Sequence, residues 1–413
     1  MKRLRERTAR NFGDIRLWGR NAKVLVFTEV LWGVPMSWIF FYQVIFMRSL
    51  GMGEVLIGFC AMLPLVFQAF LPMLGGYLAD KFGRKRVLML FDTTGWIGAM
   101  VMWSMAREPW QMVAAACFQG LSTTIYGVWE TLLVEDTEPS YRVGIYGFIQ
   151  LIYTFGGILT PIAGILISLY GVEQGCRYIF LTGLATVTTM FGIRQTYLRE
   201  SAIGKMLASS ERRDPLDGEG YVETINTVRK HKKLLLLFVL TIVGSMQVPL
   251  VNTFKPLYLS DSKALALDEG IVSIVPMASS IPSLIALSLI VPRLKHAYIR
   301  KALLFSYTCG FLGSVTLIMA PRGSLNLAII SAILDSARYV AIFSILRVFF
   351  VNTIDETNPL ARAKIMSLIT TFSALASWPV PLIGGYLYAT SPILPFVTEA
   401  ILLISSIFLM LRL

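Results

Sequence analysis

The sequence predicts an all-α membrane protein: twelve transmembrane helices in two six-helix bundles, with both termini cytoplasmic. Composition is the first of three observations behind this. Hydrophobic residues fill 55% of the 413 positions, charged residues only 15%, and mean hydropathy is +0.66; a soluble chain carries about 25% charged residues. Second, apolar stretches of roughly 20 residues recur along the chain, each the length that crosses a hydrocarbon core of ~30 Å. Third, one long polar stretch, 197–233, divides these stretches six and six.

The expected spans are 24–46, 55–79, 85–106, 110–133, 144–170, 176–196, 234–258, 269–291, 301–320, 324–350, 364–388 and 391–411. A β-barrel would show short segments of alternating polarity instead. Ahead of the first span, residues 1–23 are basic and polar, with Arg3, Arg5, Arg7, Arg10, Arg16 and Arg20. They lack an apolar core followed by a small-residue cleavage site, so they read as a topogenic tail rather than a signal peptide. Leu4, Phe12, Ile15 and Trp18 also give the tail a face able to lie on an anionic membrane. The expected domains are the tail 1–23, a first bundle 24–196, a cytoplasmic linker 197–233 and a second bundle 234–413.

Basic residues set the orientation. Most of the 37 Lys and Arg lie in the tail, the linker and the loops of one side, whereas Arg48, Arg107, Arg177, Lys263 and Arg322 lie in the loops opposite. The basic side stays cytoplasmic. The net charge of +12 is thus topological and requires no nucleic acid. Trp103 and Trp110 bracket the loop between the third and fourth spans, where an interfacial aromatic belt is expected. Cys60, Cys117, Cys176 and Cys309 are far apart, and His231 and His296 fall in loops, so no metal, cofactor or disulfide framework is expected.

The halves repeat. Glu135-Asp-Thr-Glu-Pro139-Ser-Tyr-Arg142 matches Asp355-Glu-Thr-Asn-Pro359-Leu-Ala-Arg362 at an offset of 359 − 139 = 220 residues. The same offset pairs Pro161 with Pro381 and Gly164 with Gly384. So long a period is no solenoid. It fits two bundles related by an axis along the membrane normal.

Between the second and third spans lies Gly76-Tyr-Leu-Ala-Asp80-Lys81-Phe-Gly83-Arg84-Lys85. Gly76 leaves room for a neighbouring helix, and Gly83 permits a tight turn. Asp80 can accept hydrogen bonds at a neighbouring helix N-terminus, and Arg84 can reach Glu135 or Asp136. With the helix count, the midpoint linker and Arg142 and Arg362 after the fourth and tenth spans, this segment resembles the loop signature of the major facilitator superfamily of secondary transporters. The resemblance covers nearly the whole chain. It implies bundles that rock in alternating access, Asp80 at the start of the eleventh helix near Lys364, and a cytoplasmic gate built from Gly76, Asp80, Gly83, Arg84, Glu135, Asp136 and Arg142. The second half keeps a worn copy of the signature from Pro292 to Lys301, with His296 in place of the aspartate. Two features depart from the drug-exporting branch. The fourth span has no arginine, and Thr160 and Ile165 stand where that branch has glycines.

Four spans carry polar residues at helical spacing, on faces that should turn from lipid toward protein or water. The first holds Glu29, Trp32, Gly33, Met36, Phe40 and Gln43, and the fourth Gln119, Ser122, Thr123, Tyr126 and Glu130. The seventh holds Thr241, Ser245, Asn252 and Lys255, and the tenth Ser331, Asp335, Arg338 and Tyr339. In the resembled family these four helices line the central cavity. Glu29, Trp32, Gln119, Tyr126, Glu130, Asn252, Asp335, Arg338 and Tyr339 are therefore the expected contacts for solute and proton. Asp335 stands about 16 Å into its span, with Arg338 as its ion partner. Glu130 has no basic residue one turn away and is the expected proton carrier, Glu29 the next candidate. Asp92 is expected to pair with a cytoplasmic arginine, Arg347 and Glu399 to be structural, and Lys255 to snorkel. No phosphate-binding Gly-x-x-x-x-Gly-Lys-Ser/Thr loop and no catalytic cluster occurs, which points away from ATP drive and from an enzyme. The expected function is proton-coupled export of a small amphipathic or cationic compound by alternating access; the alternative is uptake or facilitated diffusion of a neutral solute such as a sugar, and behind both stands a polytopic membrane enzyme or non-transporting receptor. The expected partners are that small-molecule substrate, protons and the lipid bilayer, with the chain a monomer in the cell membrane.

Overall fold

The computed structural model describes residues 15–201, 204, 206, 225, 226, 228–357 and 362–413. Most of the tail, much of the linker and the second-half loop at 358–361 lie outside the described residues. Among those described there is no strand. Ten helical stretches among the described residues are long and apolar enough to cross a membrane. One of them, Gly144–Tyr197, has 54 residues; straight, it would measure about 80 Å, more than one crossing. Phe70, Met73, Leu169, Phe305 and Ile401 are exposed apolar side chains on these helices, as lipid contact allows.

The chain divides into two compact units, Met1–Met52 with Leu63–Glu211, and Gly53–Met62 with Arg212–Leu413. Helices α1 (Arg20–Ser49), α2 (Glu54–Phe82), α3 (Arg84–Met105), α4 (Pro109–Leu121), α5 (Tyr126–Val134), α6 (Pro139–Ile158) and α7 (Thr160–Tyr197) come first. In the first unit α1 packs on α6 and α7, and α3 on α4 and α7. Their shared core includes Trp18, Leu25, Leu88, Leu132 and Ile145. The second unit holds α8 (Lys232–Ser260), α9 (Ile274–Ile285), α10 (Ile299–Ile318), α11 (Leu325–Val340), α12 (Leu346–Thr357), α13 (Arg362–Ser377), α14 (Val380–Thr390) and α15 (Leu394–Arg412). Here α10 packs on α11 and α15, and α8 on α13 and α15, around Leu237, Leu303, Tyr307, Phe350 and Ile354.

Several expected spans are interrupted. A 3-10 turn at Ser122–Ile125 separates α4 from α5. Within it the hydroxyls of Ser122, Thr123 and Thr124 donate to the carbonyls of Gln119, Gly120 and Leu121, three residues back, at 2.8, 2.7 and 2.7 Å, local bonds that favour the tighter turn. The expected fifth span breaks at Leu159, and the helix resumes with Pro161 in its first turn. The expected eleventh span breaks before Val380 and resumes with Pro381 in its first turn. These are the two prolines paired at the 220-residue offset, 381 − 161. A proline lacks the N–H that a helix interior needs and tolerates the first turn. Between the expected fifth and sixth spans the structure has no five-residue loop, only Gly171 at φ 75° inside α7. π turns at Ala286–Ile290 and Ala341–Ile345 follow α9 and α11.

Trp103 corrects the expected aromatic belt. It is buried against Phe46 and Phe180, ring centroids 6.5 and 5.7 Å away, while Trp110 is exposed and donates to Glu108 at 2.8 Å.

Candidate functional site

Among the described residues each unit buries a cluster of charges. In the first, Arg194 reaches from the end of α7 toward α1 and α3. Its Nη2 lies 2.7 Å from Glu29 Oε2, its Nη1 3.3 Å from Asp92 Oδ2, and its Nε donates to the Thr28 hydroxyl at 3.0 Å. The Tyr153 hydroxyl of α6 donates to Glu29 Oε1 at 2.8 Å. All three charged side chains are at most 6% exposed. The Trp96 side chain also hydrogen-bonds Asp92. The Trp32 ring lies 5.2 Å from Trp96, 5.6 Å from Tyr153 and 6.1 Å from Phe40, so the rings that touch the two acids also touch each other's neighbour. Asp92 thus finds its expected arginine. The sequence reading missed Arg194 itself; the signal was a lone arginine at the inner end of a span, at a depth similar to that of the two acids.

In the second unit Asp335 accepts from Arg338 Nε at 2.5 Å and from Lys255 Nζ at 3.3 Å. Arg338 Nη2 lies 3.5 Å from Glu399 Oε1 on α15. The expected Asp335–Arg338 pair forms, but Lys255 does not snorkel: it turns inward to the same carboxylate. Glu399 is an ion partner, and Arg347 is exposed with no ion pair among the described residues. Asn252 and Tyr339 are exposed and hydrogen-bond each other through their side chains.

The stripe expected on the fourth span does not survive the 3-10 turn. Ser122 and Thr123 are buried, with their hydroxyls returned to the backbone. Gln119 is half-buried, while Tyr126 and Glu130 are exposed on α5. On the first span Glu29, Gly33 and Met36 are buried, and at Gly33 an added Cβ would meet the Tyr153 ring at 2.9 Å, whereas Trp32 and Gln43 are half-buried and Phe40 is exposed.

The loop signature folds as follows. Gly83 takes φ 95°, and both Glu200 oxygens accept from the backbone N–H groups of Arg84 and Lys85 at 3.0 and 2.8 Å. Arg84 pairs with Glu135. Both residues belong to the first unit, and this pair closes that unit on itself. Asp136 goes elsewhere: Asn21 Nδ2 donates to it at 2.9 Å and Asn21 Oδ1 accepts from Arg199 N at 3.0 Å. Burial, then the neighbouring Glu135, push the Asp136 carboxyl above its ordinary range. Arg142 Nε donates to the Thr137 carbonyl at 3.3 Å. Gly76 makes no close approach: an added Cβ there meets nothing within 4 Å, whereas at adjacent Gly75 it would collide with the Thr124 carbonyl. Asp80 is exposed and has no polar partner among the described residues; the side chain of its expected neighbour, Lys364, lies outside them.

The Major Facilitator Superfamily model matches residues 24–378. The chain is 21% identical over 260 residues to a Na(+), Li(+), K(+)/H(+) antiporter of Planococcus maritimus, covering 60% of this chain and 59% of that protein. It is 24% identical over 275 residues to the multidrug resistance protein MdtG of Yersinia enterocolitica, covering 64% of each. The chain therefore spans less than two thirds of the length of these relatives. The crystal structure of the nucleoside transporter NupG superposes with a TM-score of 0.68 over 95% of this chain and 97% of that one, at 17% identity. An identity that low speaks for the fold alone. Apolar helices throughout, two helical units and a family match over most of the length make this chain a member of the Major Facilitator Superfamily, a multi-pass membrane transporter and not an enzyme.

Proposed function

We propose that this transporter exports a small amphipathic or cationic compound by alternating access, driven by protons. The carrying observation is the first unit's buried cluster, where two carboxylates face one guanidinium beside the Trp32 ring group. A surplus acid in a dry helical interior suits proton traffic, and aromatic faces suit an organic cation. Relatives named for ion/proton antiport and for multidrug resistance support the same reading. In this reading twelve helices cross the cell membrane with both termini cytoplasmic, the bundles are 24–196 and 234–413 joined by 197–233, and the working form is a monomer. Solute meets the exposed Tyr126 and Glu130 with Gln119 on the first unit, and Asn252 and Tyr339 on the second. Asp80, Gly83, Arg84, Glu135, Asp136 and Arg142 shape the cytoplasmic end.

The test is flux in proteoliposomes holding tetraphenylphosphonium, potassium, uridine or xylose, with and without an imposed pH gradient. Gradient-dependent accumulation of tetraphenylphosphonium is expected. Flux of uridine or xylose alone, indifferent to the gradient, would overturn the reading in favour of facilitated diffusion of a neutral solute.

A further inference from the structure

We propose that Glu29 and Asp92 hold one proton between them over Arg194, and that this triad, rather than Glu130, is the transporter's proton site. The inference deepens the proton-coupled reading and rests on it for its role in transport, but not for the presence of the proton.

The argument is charge balance. Glu29, Asp92 and Arg194 are all buried, and with every group ionised they sum to −1. The elements packed around them supply no second cation. α6 contributes the Tyr153 hydroxyl, α5 contributes Tyr126, and α3 the Trp96 indole. Among the described residues Arg194 is the only base that pairs with either acid. An uncompensated charge in a low-dielectric interior is strongly disfavoured, and the group neutralises instead. The second unit differs in its count: Asp335 and Glu399 face Lys255 and Arg338, two against two. Glu130 is exposed on α5 and is no part of this buried cluster.

Geometry also says which acid holds the proton. Glu29 receives the short contact from Arg194, 2.7 Å, and the Tyr153 hydroxyl at 2.8 Å. Asp92 receives Arg194 at the longer 3.3 Å, with the neutral Trp96 indole as its second donor. The better-solvated carboxylate keeps its charge, and the proton rests on Asp92. On release, one Asp92 O–H bond breaks and one O–H bond forms on the accepting water. The negative charge left behind is what an organic cation, entering past exposed Phe40 and the Trp32 and Trp96 rings, can balance in the proton's place.

The experiment is infrared difference spectroscopy on the purified full chain, with transport of tetraphenylphosphonium as a second arm. Wild type is expected to show the C=O stretch of a protonated carboxyl at neutral pH, shifted in D₂O. Asp92→Asn should remove it and Glu130→Gln should leave it. Glu29→Gln should remove it by a separate route, because Asp92 then has Arg194 to itself and ionises; this variant serves if Asp92→Asn folds poorly. In liposomes Asp92→Asn should lose gradient-driven accumulation of tetraphenylphosphonium. A wild type without the band, or an Asp92→Asn protein that retains it, overturns the proposal. A band that behaves as expected in a protein that does not move tetraphenylphosphonium supports the triad and counts against the cargo alone.

Discussion

Glu200 shows how little of a site its own neighbourhood in the sequence reveals. Its carboxylate caps α3 from 116 residues away, accepting from Arg84 N and Lys85 N. An anion at a helix N-terminus is worth about 1 kcal/mol. Glu200→Gln should lower the melting temperature of the purified protein by that order. Gly83→Ala should lower it further, since a left-handed conformation costs an L-residue about 1–2 kcal/mol and its Cβ would stand 2.8 Å from Glu200 Oε2. Unchanged thermal unfolding in both would remove the cap from the account. The loop signature made the Gly83 turn and the Arg84–Glu135 pair legible, because they follow from residue type at fixed spacing. Glu200 and Arg194 were not legible. Their partners lie more than 100 residues away, and nothing local distinguishes a capping glutamate in a linker from a solvated one.

At the scale of elements, apolar length located nearly every helix and located almost none of the breaks. Hydropathy averages over about 20 residues, whereas the breaks are set by three or four. Ser122, Thr123 and Thr124 looked like a polar stripe because helical spacing was assumed to run through them. Their hydroxyls instead bond backward and tighten the chain. A 3-10 turn advances about 120° per residue against 100° for an α-helix, so four residues rotate α5 by roughly 80°. Replacing Ser122, Thr123 and Thr124 together by alanine should relax the turn to α and turn α5 with it. Maleimide labelling of Glu130→Cys, exposed as the helix now stands, should then fall. Equal labelling in both backgrounds would mean that packing, not the hydroxyls, sets the turn. The proline breaks were half legible: the repeat paired Pro161 with Pro381, and the structure shows what the pairing encodes, a helix restarted at the same place in each half.

Across the whole molecule the sequence carried the transporter class but not the cargo. The class rests on length, polarity and one loop signature. The cargo rests on which of many membrane-embedded side chains keep their charges neutralised by one another and which do not. That distinction turns on inter-helix distances. The unequal charge of the two buried clusters also has an electrical consequence. A neutral group of four feels no net force from the membrane potential, whereas a site that gains and loses one proton does, at about 2.3 kcal/mol per elementary charge per 100 mV for the full field. For a charge crossing the whole field, about 59 mV does the work of one pH unit. Glu29 lies 29 − 20 = 9 residues past the first residue of α1, about 13 Å at 1.5 Å per residue and so less than half of a ~30 Å core. A proton arriving from that side crosses less than half of the voltage drop. In vesicles clamped with valinomycin and potassium, the pH midpoint of accumulation should therefore move by less than half a unit for each 59 mV applied. A full unit would place the loading site at the far face, and no movement would mean that protons reach it without crossing the field at all.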